Sequence, residues 1–371
     1  MKKIIVSVTN DLTTDQRVDR VCQTLSGMGF EIVLIGRRLP GSLPLKNRRY
    51  ITQRMSLLFR KGPFFYAEYN LRLFFYLLFA RAEILLSNDL DTLLANYLAS
   101  KIRRRIHVHD CHEYFRGVPE LNGRPRTVKI WKMIEDFIFP KLTNVYAVNE
   151  SIASLYKEEY GNEISVIRNV PFRNRSLPAK NKQGLGIPEE SRIILYQGAI
   201  NVDRGLEEAV MAMKFMTHPA ILLIIGTGDI IEQLRQLAIR EGVNGKVVFT
   251  GQIPLEELSS YTMMADIGLS IEKDVCLNYH FSLPNKFLDY IQSGIPVLIS
   301  PLPEMKAIVD KYQIGETIKN HDPRYLADKL DAMLNASEKL ADYRLNLKKA
   351  AEVFCWENEE STLMKIFEPY V

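Results

Sequence analysis

Short apolar runs alternate with amphipathic stretches along nearly all of the 371 residues, and this rhythm limits the possible folds more than any other feature. Lys3–Val8 has the pattern of a buried strand. Thr14–Met28 carries Val18, Val21, Cys22 and Leu25 on one helical face, and Glu31–Gly36 is a second buried run behind Gly27 and Gly29. A β–α–β opening demands a parallel sheet with crossover helices, because parallel neighbours cannot be joined by a hairpin. Strand-like runs recur at Glu83–Asn88, Arg105–Asp110, Asn144–Asn149 and Ile164–Asn169. Residues 171–191, rich in Pro, Gly and charge, then read as a linker. The rhythm restarts at Arg192–Gly198, continues through Ala220–Gly226, Lys246–Gly251 and Ile267–Ile271, and ends in helices over 327–334, 338–351 and 357–367. The fold class is α/β, with one Rossmann-like domain over 1–170 and another over 192–352.

Within the second half, Ser282–Ser300 (SLPNKFLDYIQSGIPVLIS) is the most informative stretch. Pro284 and Asn285 open a helix with Phe287, Leu288, Tyr290 and Ile291 on its apolar face. Gly294 stops it, Pro296 forbids its return, and Ile295–Ser300 reads as a strand. A helix start offers free N–H groups and a partial positive charge, so a phosphate fits there. Ser282, Leu283, Pro284 and Asn285 would frame that anion, Lys286 adds a charge, and Asp289 can accept from sugar hydroxyls. The same stretch is also compatible with an ordinary helix and strand. Upstream, the loop AINVDRG puts Arg204 at a strand-to-helix turn after Gly198, where a guanidinium can clamp a diphosphate with parallel hydrogen bonds. A solvated Arg is the plainer alternative, although a cation near a helix start is mildly unfavourable. Gly226 and Gly228 of GTGD allow a ligand close to the backbone.

In the first half the dense titratable cluster is HVHDCHE. His107 and His109 share one face of a strand, whereas His112 follows in the loop, where an imidazole can exchange a proton near neutral pH; Glu113 stands beside it. Zinc is the alternative for three histidines, and Asp89-Leu90-Asp91 is a short metal-type pattern at a strand-to-helix turn, where Asp is also a favoured cap. Neither is preferred, and no metal is expected. The turn TNDLTTDQR lacks the glycine fingerprint for dinucleotides; Asp15 and Arg17 there either face a ligand or serve the following helix.

Charge divides the chain. Residues 1–170 hold 26 Lys+Arg against 17 Asp+Glu, and 171–371 hold 22 against 27, so the front half is the one suited to an anionic surface. Arg37–Ala67 has eight basic residues, Lys46 among them, and no acid. It leads into the aromatic, apolar stretch Phe64–Arg81. That combination suggests docking on an anionic membrane, against the alternative of a buried helix preceded by a solvated loop; nucleic acid is disfavoured. The four cysteines are scattered, which indicates a reducing compartment. The first residues are too short an apolar run for a signal peptide, and no run reaches the length of a membrane span. The expected location is cytoplasmic, peripheral on the inner face of the cytoplasmic membrane.

Taken together, QGAINVDRG at 197–205, GTGD at 226–229, VFTG at 248–251 and SLPNKFLDY at 282–290, with HDCHE at 109–113, resemble the bacterial retaining glycosyltransferases of family four, of the surface-polysaccharide type. The resemblance spans nearly the whole chain. It implies the GT-B arrangement, two facing Rossmann-like domains with a cleft between, and a last helix, within 353–371, crossing back to the first domain. It implies transfer of a sugar from a nucleoside-diphosphate donor to a surface glycan or polyprenyl-linked acceptor, with no cofactor beyond the donor substrate. By position, Arg204 matches the cation that neutralises the donor diphosphate, Asp289 the acid that binds the ribose, and His112 the histidine near the transferred sugar. Asp15, Arg17 and Glu113 fall on the acceptor side. Three departures stand out. Phe281 replaces the first acid of the E-x7-E motif, with Glu272 or Asn278 as substitutes. The second acid is Asp289, and Ala199 replaces a diphosphate-binding Arg. The rivals are an epimerase of the same fold and a non-catalytic glycan- or nucleotide-binding subunit of a biosynthetic complex.

Overall fold

A computed structural model describes residues 1–13, 15–42, 44–45, 47–173 and 179–371; Thr14, Lys46 and part of the expected linker lie outside the described residues. The chain groups into two compact units, 1–169 with 358–371, and 170–357.

The first unit begins β1 (Lys3–Ser7), α1 (Gln16–Gly27), β2 (Glu31–Arg38), β3 (Ile51–Ser56), α2 (Gly62–Phe79), β4 (Ile84–Asn88) and α3 (Leu90–Arg103). It continues β5 (Ile106–Cys111), α4 (Pro125–Ile138), β6 (Val145–Ala147), α5 (Glu150–Tyr160) and β7 (Ser165–Val166). Among the described residues its seven strands run in the order β3-β2-β1-β4-β5-β6-β7, every pairing parallel. The chain turns from one half of the sheet to the other between β1 and β4, and at such a switch point the strand ends diverge and leave room for ligands. β3 was not foreseen: ITQRMS, an edge strand, alternates only partly between half-buried and exposed positions. It also settles much of the basic stretch. Arg54 pairs with Asp11 at 2.7 Å, Arg48 donates to Leu12 O at 2.8 Å, and Arg37 lies 4.4 Å over the Phe65 ring. These cations are committed to the fold.

The second unit runs β8 (Arg192–Gln197), α6 (Leu206–Ala212), β9 (Ala220–Ile225), α7 (Ile231–Arg240), β10 (Val247–Gly251), α8 (Leu255–Thr262), β11 (Ile267–Ser270) and α9 (Leu277–His280). It ends α10 (Asn285–Ser293), β12 (Val297–Ile299), α11 (Pro303–Tyr312), β13 (Gly315–Thr317), α12 (Pro323–Asn335) and α13 (Ser337–Val353). The strands are again all parallel, ordered β10-β9-β8-β11-β12-β13, with the switch between β8 and β11. Both domains are therefore Rossmann-like. A core of Ile194, Leu222, Ile224, Leu206, Val210 and Leu330 welds β8 and β9 to α6 and α12. The final helix, α14 (Trp356–Phe367), packs its later turns in the first unit. Glu359 accepts from Arg168 N at 2.9 Å, Glu360 from Thr24 Oγ1 at 2.8 Å, and Phe367 meets Phe30 edge-on at 6.2 Å.

Candidate active site

In the second unit the expected elements converge on the carboxyl ends of β8 and β11. α10 starts at Asn285 behind Pro284 and receives no side-chain cap; Gly294 ends it at φ 71°. Ser282 is tied back to Tyr279 O, through N at 3.1 Å and Oγ at 2.9 Å, and Leu283 is buried, so the approach to the helix is fixed. Lys286 does not stand free at the helix start. It is buried, ion-paired with Glu272, and 4.7 Å over the Tyr196 ring. Glu272 also accepts from Ser270 Oγ at 3.0 Å and stands 3.8 Å from Arg204. This corrects the idea that Glu272 replaces a sugar-binding acid: it has no exposed surface and serves as counter-charge to two cations. Burial works against its ionisation, but Lys286 and Arg204 hold it below the usual carboxylate range. Burial likewise lowers the Lys286 ammonium, against the pull of Glu272.

Arg204 is the most exposed member of the cluster. Its guanidinium stacks 4.4 Å from the Tyr279 ring centre, and its Nε is buried without a hydrogen-bond partner among the described residues. Gly205, at φ 74°, places it there: a Cβ on Gly205 would come within 2.4 Å of Ile271 O. Asp289 accepts from Gln197 Nε2 at 2.9 Å, and Gln197 in turn accepts from Thr262 at 2.7 Å, so the carboxylate is oriented from the end of β8. Gly226 and Gly228 have a packing requirement of their own, apart from the expected close approach of a ligand. The space beside each is filled by backbone of the neighbouring loop, with Gly198 O 1.9 Å from a Cβ on Gly226 and Ile200 O 2.2 Å from one on Gly228. Gly198, at φ 126°, differs from these two in having open space beside it among the described residues.

In the first unit, residues from β4 and β5 surround His112. Its Nε2 lies 2.9 Å from Asn88 Oδ1 and 3.0 Å from Asp110 Oδ2, and its backbone N donates to Asp89 Oδ1 at 2.8 Å. Asp89 Oδ2 is 3.5 Å from Nδ1. Asp89 holds φ 56°, unusual for a side-chain-bearing residue, and uses its carboxylate to grip the β5 loop in place of capping α3. Burial disfavours the imidazolium, but Asp110 and Asp89 overcome it and push His112 up to about 9. Burial raises Asp91 to about 7, with the Thr9 hydroxyl, 2.5 Å away, opposing and the nearby charge of half-buried Glu113 reinforcing the rise.

Two acceptor-side expectations are corrected. Arg17 is 2% exposed; its Nε and Nη2 fork onto Asp110 at 2.7–3.2 Å and its Nη1 donates to Ile167 O at 2.6 Å, which leaves nothing to meet an acceptor. Asp15 caps α1 by accepting from Val18 N at 3.0 Å. His107 and His109 both bond Ser87 Oγ at 2.8 Å, and burial lowers them to about 3 and about 4, so they are neutral. The sequence reading missed Tyr279, Asn88 and Gln197, and it gave Glu272 the role of a sugar-binding acid when it is the counter-charge of Lys286 and Arg204. Only Glu272 carries a local signal, an acid closing the apolar run IGLSI.

Two Rossmann-like domains, with the Arg204–Glu272–Lys286 cluster at one switch point and His112 at the other, have the architecture of the GT-B class. The family model for glycosyltransferase family 4 matches residues 15–170, and that for glycosyl transferases group 1 matches 179–352. The chain belongs to the family-four type of glycosyltransferases. An uncharacterised glycosyltransferase of Methanocaldococcus jannaschii is 24% identical over 191 residues, covering 50% of this chain and 47% of the relative. A D-inositol 3-phosphate glycosyltransferase of Xylanimonas cellulosilytica is 22% identical over 191 residues, 50% of this chain and 44% of the relative. The chain thus spans just under half the length of these relatives. Among solved structures, sucrose-phosphate synthase of Thermosynechococcus elongatus superposes with a TM-score of 0.81 at 16% identity, covering 100% of this chain and 99% of the other. HepE of Anabaena, solved with UDP, gives 0.75 at 13% identity over 100% of both chains. These likenesses establish the fold.

Proposed function

We propose that the chain moves a hexose or related sugar from a nucleoside-diphosphate donor to a surface glycan or lipid-linked acceptor, with retention at the anomeric carbon, as a cytoplasmic enzyme at the inner face of the membrane. The observation that carries this reading is Arg204: a guanidinium stacked on Tyr279, with a buried Nε lacking a partner among the described residues, beside the uncapped start of α10. That arrangement suits a diphosphate, which offers bidentate oxygens to Arg and an anion to the helix start. HepE, of the same fold, has been solved with UDP-glucose, which supports a donor of this class. In the proposed reaction the C1–O bond to the diphosphate breaks as the acceptor oxygen bonds C1 on the same face, and the departing phosphate oxygen takes the acceptor proton. Arg204 and the α10 N–H groups stabilise the leaving charge. His112, a cation at neutral pH, orients the sugar from its Nδ1 side, where the Asp89 contact is the looser one. Asp289 receives the ribose hydroxyls.

The test offers UDP-, GDP-, ADP- and dTDP-sugars to the purified chain and reads nucleotide release with and without membrane extract, with Arg204→Ala as control. Release from one donor that requires extract and is lost in Arg204→Ala is the expected result. Binding without release under any condition, or no binding to any donor, would overturn the proposal.

A further inference from the structure

α2 is apolar on two opposite sides, and the fold uses only one. Phe65, Tyr69, Leu73 and Leu77, spaced four apart, are buried in the core of the first unit. Roughly half a turn away, Phe64, Leu71, Phe75 and Phe79 are each at least half exposed. A helix that is apolar all round is ordinarily covered all round. Its neighbours share the anomaly. α3 lies along α2, held by Asn70, which donates to Asp91 O at 2.8 Å, and it exposes Leu98 and Ile102 one turn apart. α4 exposes Ile130, Met133 and Phe137, each more than half. Phe137 meets Tyr97 of α3 at 6.2 Å, and Trp131 of α4 meets Tyr66 of α2 at 5.2 Å. Three adjoining helices of one unit therefore leave apolar stripes in solvent, grouped on neighbouring elements where an ordinary surface scatters them singly.

The charge around these stripes is one-sided. Residues 59–81, 98–105 and 122–141 contain 13 Lys+Arg against three acids. The acids are all engaged: Glu68 accepts from the N–H groups of Leu58 and Phe59, Glu135 is buried against Arg116, and Asp136 pairs with Lys132. Arg60 and Lys61 precede α2, Arg81 follows it, and Lys101, Arg103 and Arg104 close α3, all exposed. A second copy docked through this face would set like charges against each other, and a nucleic acid would leave the aromatic stripes uncovered.

We infer that the α2–α3–α4 flank is a docking face for an anionic lipid bilayer. The aromatic and aliphatic stripes enter the headgroup boundary, and the flanking Lys and Arg meet lipid phosphates. This places membrane attachment on three helices, beyond the 37–61 stretch, in which Arg37, Arg48 and Arg54 are committed to the fold. It deepens the membrane placement proposed above, but docking requires no turnover, so the two can fail separately.

The experiment is co-sedimentation of the purified full chain with vesicles of phosphatidylcholine alone or mixed with phosphatidylglycerol. The variants are Phe75→Ser/Phe79→Ser, Ile130→Ser/Phe137→Ser and Arg103→Glu/Arg104→Glu, with Leu345→Ser, exposed on the second unit, as control. The wild type and the control are expected to bind the anionic vesicles, less so at high salt. Each double variant is expected to bind at least tenfold more weakly, with unchanged melting temperature and UDP binding. The inference is overturned if the wild type ignores anionic vesicles, if the double variants bind as well as the wild type, or if the apolar substitutions abolish a dimer and not vesicle binding. Vesicle binding without any donor binding would leave it standing and sink the transferase proposal.

Discussion

Lys286 and Glu272 form a buried ion pair, and the two residues come from different elements, the first turn of α10 and the segment after β11. Each charge is tolerable because the other is present. Glu272→Gln strands Lys286, and Lys286→Met leaves Glu272 only the more distant Arg204, 3.8 Å away; either change is expected to cost about 3–5 kcal/mol in urea unfolding. The double replacement removes both charges and should cost clearly less than the sum. A double-mutant cycle with additive losses would show that the pair is uncoupled.

His112 makes the first unit pH-sensitive in a definite direction. Its folded value, about 9, lies above the ordinary 6.5, so the folded state binds the proton more tightly than the unfolded chain. The stabilisation is complete below about pH 6.5 and is lost as pH rises to about 9. The full loss is about 3 kcal/mol by the linkage relation. Unfolding curves across this window should fall for the wild type and flatten for His112→Gln, and an NMR titration of the imidazole should place its midpoint well above 7.

Asp91 acts in the same sense at lower pH. Burial raises it from 3.8 to about 7, so its contribution is greatest below about pH 4 and disappears as pH rises through 7. Asp91→Asn keeps the oxygen that accepts from Thr9 Oγ1 and removes the titration. The variant should lose less stability than the wild type between pH 4 and 7, measured at fixed ionic strength; parallel curves would refute this assignment.

How much of this was legible in the sequence depends on how local the signal is. Gly294 and Pro296 mark the end of α10 and the start of the next strand to within a residue or two, because a left-handed cap and a missing N–H act where they stand. Arg204 and His112 were found because strand ends in α/β sheets are where turns expose polar groups. The pairings were not legible. Arg17 reaches Asp110 across 93 positions, and nothing near Arg17 says that it points inward. Lys286 read as a free cation because Glu272 lies beyond the intervening loop. Gly226 and Gly228 read as positions for a ligand, and nothing near them in sequence shows that the adjoining loop fills the space a side chain there would need. The exposed side of α2 was blurred for a related reason: a helix apolar on both faces shows no clean period.

That loop packing makes a contrast among glycines. A Cβ on Gly226 would lie 1.9 Å from Gly198 O, and Gly226 also holds φ 136°. Neither backbone can give way without dislodging the loop that carries Arg204, so Gly226→Ala is expected to cost at least 3 kcal/mol, on the order of severe overpacking with backbone strain. Gly242, at φ 70°, has open space around it, and Gly242→Ala should cost only about 1–2 kcal/mol, the left-handed penalty. Similar melting temperatures for the two variants would contradict the packing explanation.

Arg204 offers the sharpest separation of charge from shape. Its planar guanidinium stacks on Tyr279 and is the outermost cation of the cluster, so Arg204→Lys keeps the charge but loses the stack and the fork. If a diphosphate is the anion recognised, calorimetry should find UDP bound about tenfold more weakly by Arg204→Lys, as expected when a bidentate charge-assisted contact becomes a single one. Uridine, which has no phosphate, should bind both proteins alike. Tyr279→Leu should reproduce part of the UDP loss, since it removes the ring that holds the guanidinium flat. Equal weakening of UDP and uridine would move Arg204 from the diphosphate to the nucleoside, and unchanged UDP affinity in both variants would remove it from the donor site.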